Sequence, residues 1–158
     1  MVSQRRDLDL HAALKSCYFA DKSHLNEHRR PIFGATYRAM RFGPVPLEIY
    51  EMMKGEALWK AELNTEEFPW DLEGYRLRLV GNFETDLDVL AETDVDHLQS
   101  GFTTSIAMDF NERTSATHGS DWQRAELGIM RYEDMIEEGP EKEDIISYLQ
   151  ANSRYMRL

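Results

Sequence analysis

The segment RPIFGATYRAMRFGPVPLEIY, residues 30–50, constrains this chain more than any other stretch. It sets Gly34 and Gly43 among Pro31, Pro44 and Pro46, with aromatic residues between them. Proline holds φ at about −65° and lacks an N–H, while glycine reaches φ values that other residues avoid. A connector built this way can take few shapes, so it specifies one. It either performs chemistry in that shape or holds a surface in place.

The elements around it follow from periodicity. Asp7 or Asp9 can cap a first helix, on which Leu10, Ala13, Leu14, Cys17, Tyr18 and Leu25 recur at three- and four-residue steps and form a core face. Cys17 lies on that face and reads as a buried structural thiol. GPVPLEIYEMMKG reads as a second helix with Pro46 in its first turn, Val45, Ile49, Met52 and Met53 on its apolar side and Gly55 past its end. EALWKAELNTEEFPWDLEG shows little periodicity and reads as an irregular connection. YRLRLV, residues 75–80, alternates like a strand, and FGATYRAM, residues 33–40, is the best available partner for it.

VLAETDVDHLQSGFTTSIAMDF carries Val95, Leu98, Phe102, Ile106 and Phe110 at helical spacing, with Thr93 as its cap, and reads as the longest central helix. Gly101 within it implies close packing against a neighbour, since glycine costs a helix about 1 kcal/mol relative to alanine. Ser120 or Asp121 opens a further helix with Trp122 in its first turn, and PEKEDIISYLQANSRYM forms the last, turning Ile145, Ile146 and Leu149 inward. Gly34, Gly43, Gly55, Gly74 and Gly81 read as turn positions. The whole predicts one compact domain, residues 1–158, mainly α with a small β element (α+β): about five to seven helices and a short two- or three-stranded sheet.

Charge and composition narrow the function. With 29 acidic against 18 basic side chains the formal net charge is −11, which repels phosphate backbones and anionic lipid and favours a basic protein partner over nucleic acid. No apolar run approaches the roughly 20 residues of a membrane span. One cysteine and an N-terminus without an apolar signal core lead us to expect a cytoplasmic protein.

Reactive groups are few. His24 and His28 in HLNEH stand four apart and could share a helix face toward a metal, but a zinc site needs more ligands. Two solvated histidines at a fraying helix end is the simpler reading, and no metal or other cofactor is expected. His118 and Asp121 lie near Thr114, Ser115, Thr117 and Ser120, yet no G-x-S-x-G elbow accompanies them. His118 reads as a packing or capping residue. Glycine-rich phosphate loops and cysteine–histidine clusters do not occur, and the pairs Glu66–Glu67 and Glu137–Glu138 read as solvated charge.

LKSCYFADKSHLNEHRRPIFGATYRAMRFGPVPLEIYEMMKG resembles the N-terminal signature of the Panacea domain, the family of SocA-type antitoxins and phage-associated GepA-like proteins. The resemblance rests on Tyr18, Phe19, Ala20, Asp21, His24, Leu25, Pro31, Ile32, Gly34, Tyr37, Ala39, Met40, Gly43, Pro44, Val45, Pro46, Ile49 and Tyr50. Downstream, LAETDVDHL, then Thr117, His118 and Trp122 of THGSDW, and MRYEDMI resemble later family elements. Arg30 stands where the family usually has glycine, and Ala91 where a capping serine is common.

The resemblance implies a mostly helical domain acting as the antitoxin of a bacterial type II-like toxin–antitoxin pair. Its partner would be a cognate toxin, held and neutralised, and in the SocA manner delivered to the ClpXP protease, with no catalytic residue involved. The signature residues serve either the fold or partner contact. A phage-associated interaction module without a toxin, or a histidine-dependent hydrolase, are the alternatives.

Overall fold

The computed structural model describes residues 7–81 and 86–152. The chain opens with a short strand β1 (Asp7–Asp9) that runs directly into helix α1 (Leu10–His28). Asp9 is the cap: its carboxylate accepts from Ala12 N at 3.0 Å, satisfying one of the N–H groups that a helix start leaves free. Arg29 ends the helix in the left-handed region and returns its N–H to Leu25. All six residues of the predicted stripe are buried, together with others around the circumference, so α1 runs through the interior.

The connector folds into a two-stranded antiparallel hairpin, β2 (Tyr37–Met40) and β3 (Gly43–Pro46), closed by Arg41 and Phe42. Its register explains how one strand carries two prolines. Pro46 lies opposite Tyr37 and Pro44 opposite Ala39, and those two β2 residues spend their backbone groups on the far side: Ala39 N donates to Gly128 O, and Tyr37 O accepts from Met130 N. The missing proline N–H groups fall where no ladder bond is required. This corrects the reading of residues 43–46 as a helix start, because the residue before proline is driven to extended backbone. Helix α2 (Leu47–Met53) begins after Pro46, and Val45 belongs to the strand.

The segment read as irregular contains α3 (Ala57–Glu62) and β4 (Trp70–Glu73). β4 turns at Gly74 into β5 (Arg76–Leu79), which also pairs with β1 in a three-stranded antiparallel sheet of order β1-β5-β4. The expected pairing of residues 75–80 with 33–40 is therefore replaced. β5 takes its immediate hairpin neighbour and the N-terminal strand, with Leu8 opposite Leu77 in the core. The five turn glycines named above all have positive φ.

Helix α4 (Glu92–Ala107) lies along α1. Its start is Ala91, whose N–H is held by the Asp94 carboxylate at 3.1 Å, in place of the expected Thr93 cap. At 16 residues it is shorter than the 19 of α1. A β-carbon on Gly101 would sit 2.7 Å from Ala20 N and Ser16 O, so the absent side chain sets the approach of the two helices. Ser105 Oγ seals the contact on Ala12 O at 2.7 Å.

Phe110 leaves the predicted stripe because Met108 turns extended and α5 (Phe110–Ala116) starts anew from Asp109, with Asp109 and Glu112 forming a reciprocal capping box. Helices α6 (Ser120–Arg124), α7 (Tyr132–Met135) and α8 (Lys142–Asn152) complete the described chain, and residues 153–156 of the predicted last helix lie outside it. The result is mainly α with a small β element. The β part is divided into sheets of three and two strands, and short helices bring the number among the described residues to eight. Two apolar clusters flank α1, one around Tyr18, Leu25, Tyr37, Met135 and Leu149, the other around Leu8, Leu14, Leu77 and Phe102.

Candidate functional site: the cleft beside the hairpin

Two buried carboxylates, one on α1 and one on α6, hold several of the signature residues. Asp21 Oδ1 accepts from Ile32 N at 2.7 Å and Phe33 N at 2.9 Å, and Oδ2 accepts from the Tyr37 hydroxyl at 3.0 Å. Burial raises its pKa to about 6, partly opposed by these donors. Burial and the Asp21 charge in turn hold the Tyr37 hydroxyl well above its ordinary range.

Asp121 accepts from the Tyr18 hydroxyl at 2.5 Å, from Lys22 Nζ at 3.0 Å and from Trp122 N at 2.9 Å. Trp122 Nε1 reaches across to Met40 O at 2.9 Å, and Thr117 Oγ donates to Arg113 O. Tyr18, Asp21, Tyr37 and Trp122 thus fasten the connector and α6 to α1 and to each other, while Thr117 closes the end of α5.

The hydrolase arrangement does not form. Both Asp121 oxygens are engaged by Tyr18, Lys22 and Trp122 N, while the His118 ring stacks on Trp122 at 3.8 Å and 12°. Burial, then the charge of Lys15, lowers the His118 pKa.

His24 is not solvated as expected but fully buried, because α1 continues to His28 and α4 covers it. Its Nδ1 donates to Arg30 O at 2.8 Å. Arg30, standing where the resemblance expects glycine, pairs with Asp94 at 2.6 Å and ties the connector to the first turn of α4. His97 of α4, which sequence reasoning passed over, joins His24 and His28 with ring centroids 5.0 and 5.2 Å away.

Four further signature residues line a cleft of about 440 Å³ between α1, the hairpin and α5. Met40, Gly43, Val45 and Tyr50 form part of its wall, with Leu10 and Leu14 opposite. Gly43 has φ +97°, and a methyl group there would collide with Thr117 Oγ1 and Lys15 Nζ, so only glycine closes this corner. Lys15 is 1% exposed, donates to Pro44 O at 2.6 Å, and has its pKa lowered to about 7, first by burial and then by Arg113.

His11 Nε2 donates to Phe42 O at 3.1 Å, leaving Nδ1 buried without a hydrogen-bond partner, and burial lowers its pKa to about 4. At the rim Phe42 is 46% and Phe110 41% exposed, edge to face at 5.2 Å, with Tyr75 beside them. A larger hollow of about 630 Å³ lies between Gly34, Tyr37, Glu48 and Tyr132, with more polar walls and no exposed ring. Apolar walls and accessible aromatics occur together in the cleft, which makes it the candidate site.

Met40, Gly43, Val45 and Tyr50 of the wall were legible as signature residues, with no cleft implied, and the rim and floor were not. Phe42 carried a signal: an aromatic between Arg41 and Gly43, at the tip of a turn, has no core to enter. Phe110 and Lys15 carried none, because each falls in helical spacing that reads as core or as solvated face.

Among the described residues no helix is long and apolar enough to cross a membrane. Comparison with curated proteins and with solved structures gives no match. The family model described as "Antitoxin SocA-like, Panacea domain" matches residues 14–123, from the second turn of α1 into α6 and including the whole connector. The chain belongs to the SocA-like antitoxin Panacea family.

Proposed function

We propose that this chain binds and neutralises a cognate toxin protein, that the cleft rimmed by Phe42 and Phe110 is the contact, and that the bound toxin is presented to ClpXP for degradation. The observation that carries the reading is the antitoxin family match over residues 14–123. The cleft supports a place for the contact, since exposed rings over an apolar floor are what a partner buries. Aromatic side chains each contribute roughly 1.5–3 kcal/mol on full burial and are enriched among residues that dominate interfaces.

A net charge of −11 favours encounter with a basic toxin and disfavours nucleic acid. The mechanism uses no catalytic residue: the protein holds its partner and excludes it from its target. Co-expression tests this. A growth-inhibiting open reading frame adjacent to this gene should be silenced by this chain, and the two products should co-purify. In a host lacking ClpX, toxin levels should rise while co-purification persists. No adjacent inhibitory gene, or rescue without a physical complex, would overturn the proposal.

A further inference from the structure

We propose that Glu27 and His28 of α1 and His97 of α4 form a binding site for a divalent transition-metal ion of the zinc class. Their ligand atoms all lie within 4.8 Å of one another. His97 Nε2 is 3.3 Å and His28 Nε2 3.8 Å from the Glu27 carboxylate oxygens. Tetrahedral zinc with bonds of about 2.0–2.1 Å needs ligand atoms about 3.4 Å apart; the His97 separation, to Oε2, already matches that edge, while the His28 separation is to Oε1, so the exposed carboxylate must turn to offer one oxygen to both rings.

The hydrogen bonds around Ser23 fit an assignment in which His97 turns a lone pair to the site. Ser23 Oγ lies 3.1 Å from Ala20 O, to which it can only donate, and 2.8 Å from His97 Nδ1. When the Ser23 proton lies on that carbonyl, Ser23 accepts from Nδ1–H, and the neutral His97 ring turns its Nε2 lone pair to the Glu27 carboxylate. Two acceptors facing each other repel. A bridging cation turns that repulsion into coordination, and the Ser23 contact is the kind of outer-shell bond that orients a metal-binding imidazole. A proton on Nε2 is the alternative that the experiment separates.

His24 supplies an independent observation. It closes a triangle of imidazoles with ring centroids 4.6 Å from His28 and 5.0 Å from His97. Its Nδ1 also donates to a carbonyl, Arg30 O, and its buried Nε2 lies 3.0 Å from Asp94 Oδ1 outside hydrogen-bond geometry. A second imidazole in one cluster therefore presents a lone pair toward a carboxylate. The helices bearing these groups are held in register by Gly101 against Ser16 and Ala20, so the site does not have to be assembled on binding.

The full chain without a polyhistidine tag, stripped with chelator, tests this. Titration with Co²⁺ should saturate at one equivalent per chain with the visible absorption of a four-coordinate centre, and Zn²⁺ should bleach it. Zn²⁺ should also raise the melting temperature. Glu27→Gln and His97→Ala should each weaken binding at least tenfold, and Ser23→Ala about tenfold, whereas His11→Ala, outside the cluster, should bind as wild type. Glu27 is exposed, so its variant folds irrespective of the outcome. Absence of saturable Co²⁺ binding at micromolar concentration, a six-coordinate spectrum, or wild-type affinity in both Glu27→Gln and His97→Ala would leave only a protonated histidine cluster and overturn the site.

Discussion

Asp21 and Lys15 are both buried on α1, and they are provided for differently. Asp21 receives two backbone N–H groups and a hydroxyl. Asp121 of α6 is similarly supplied by Tyr18, Lys22 and Trp122. Around Lys15 the situation is reversed: its ammonium reaches Pro44 O, Arg113 lies close by, and the nearby His11 Nδ1 and His118 Nε2 are buried without hydrogen-bond partners.

Buried polar groups are costly unless satisfied, so the first cluster is what a scaffold requires. The second is tolerable in a surface that a partner completes, and it lies beside the exposed rings. One signature hairpin therefore has a finished side and an unfinished one. Gly34 and Tyr37 serve the former, Met40, Gly43 and Val45 the latter.

The sharpest way to break that contrast is Asp21→Ala. It leaves the N–H groups of Ile32 and Phe33 and the Tyr37 hydroxyl without an acceptor, each at roughly 1–3 kcal/mol. We expect a loss of about 3–5 kcal/mol in urea unfolding, and a loss under about 1 would remove Asp21 from the scaffold. The titration gives a second check. Its carboxyl is raised from 3.8 to about 6, so the folded chain holds a proton that the unfolded chain has released, and this group's contribution declines as pH rises through that window. Asp21→Asn should remove that decline.

How much of this could be read from sequence depends on the range of the interaction. The α1 stripe, the role of Gly101, the positive-φ glycines and the helix opening at Ser120 are local, set by spacing and by backbone freedom, and all were legible. Strand pairing was not. Nothing in RLRL says that its neighbours are Asp7–Asp9 and Trp70–Glu73, because antiparallel partners are chosen by tertiary packing. The prolines of β3 misled for a related reason, since proline is compatible with a helix's first turn or with a strand whose ladder bonds go elsewhere. Of the site, the walls were legible through their resemblance to a family pattern. The floor was hidden, because Lys15 is a charged residue beside the apolar stripe that spacing alone sends to the surface, and His97 meets His24 and His28 only once α4 lies on α1.

Lys15 separates the two sides with the opposite sign. Burial lowers its pKa from 10.5 to about 7, so above pH 7 the unfolded chain holds more protons than the folded one and stability rises with pH. One proton corresponds to at most about 1.4 kcal/mol per pH unit. The useful window is pH 7 to 9, because from 9.0 upward the raised pKa of buried Cys17 acts in the other direction. Wild type should gain stability across that window, and Lys15→Met, which keeps the length and removes the amine, should be flat. Equal slopes in both proteins would show that the floor of the cleft is as well provided for as the Asp21 side.

Phe42→Ser should disturb the fold least and separates surface from scaffold most cleanly. The ring is nearly half exposed and packs edge to face on Phe110, a pair contributing about 0.5–1.5 kcal/mol, so the stability change should stay near 1 kcal/mol or below. Were the ring a scaffold element like Tyr37, the cost would approach that of Asp21→Ala, and loss of binding would merely follow loss of fold. If it is a contact, the variant keeps its melting curve while affinity for the toxin falls at least tenfold, the effect of truncating an anchoring aromatic at roughly 2 kcal/mol or more. Melting and binding measured on the same preparation distinguish the two, because only a residue on the unfinished side of the hairpin can move the second without the first.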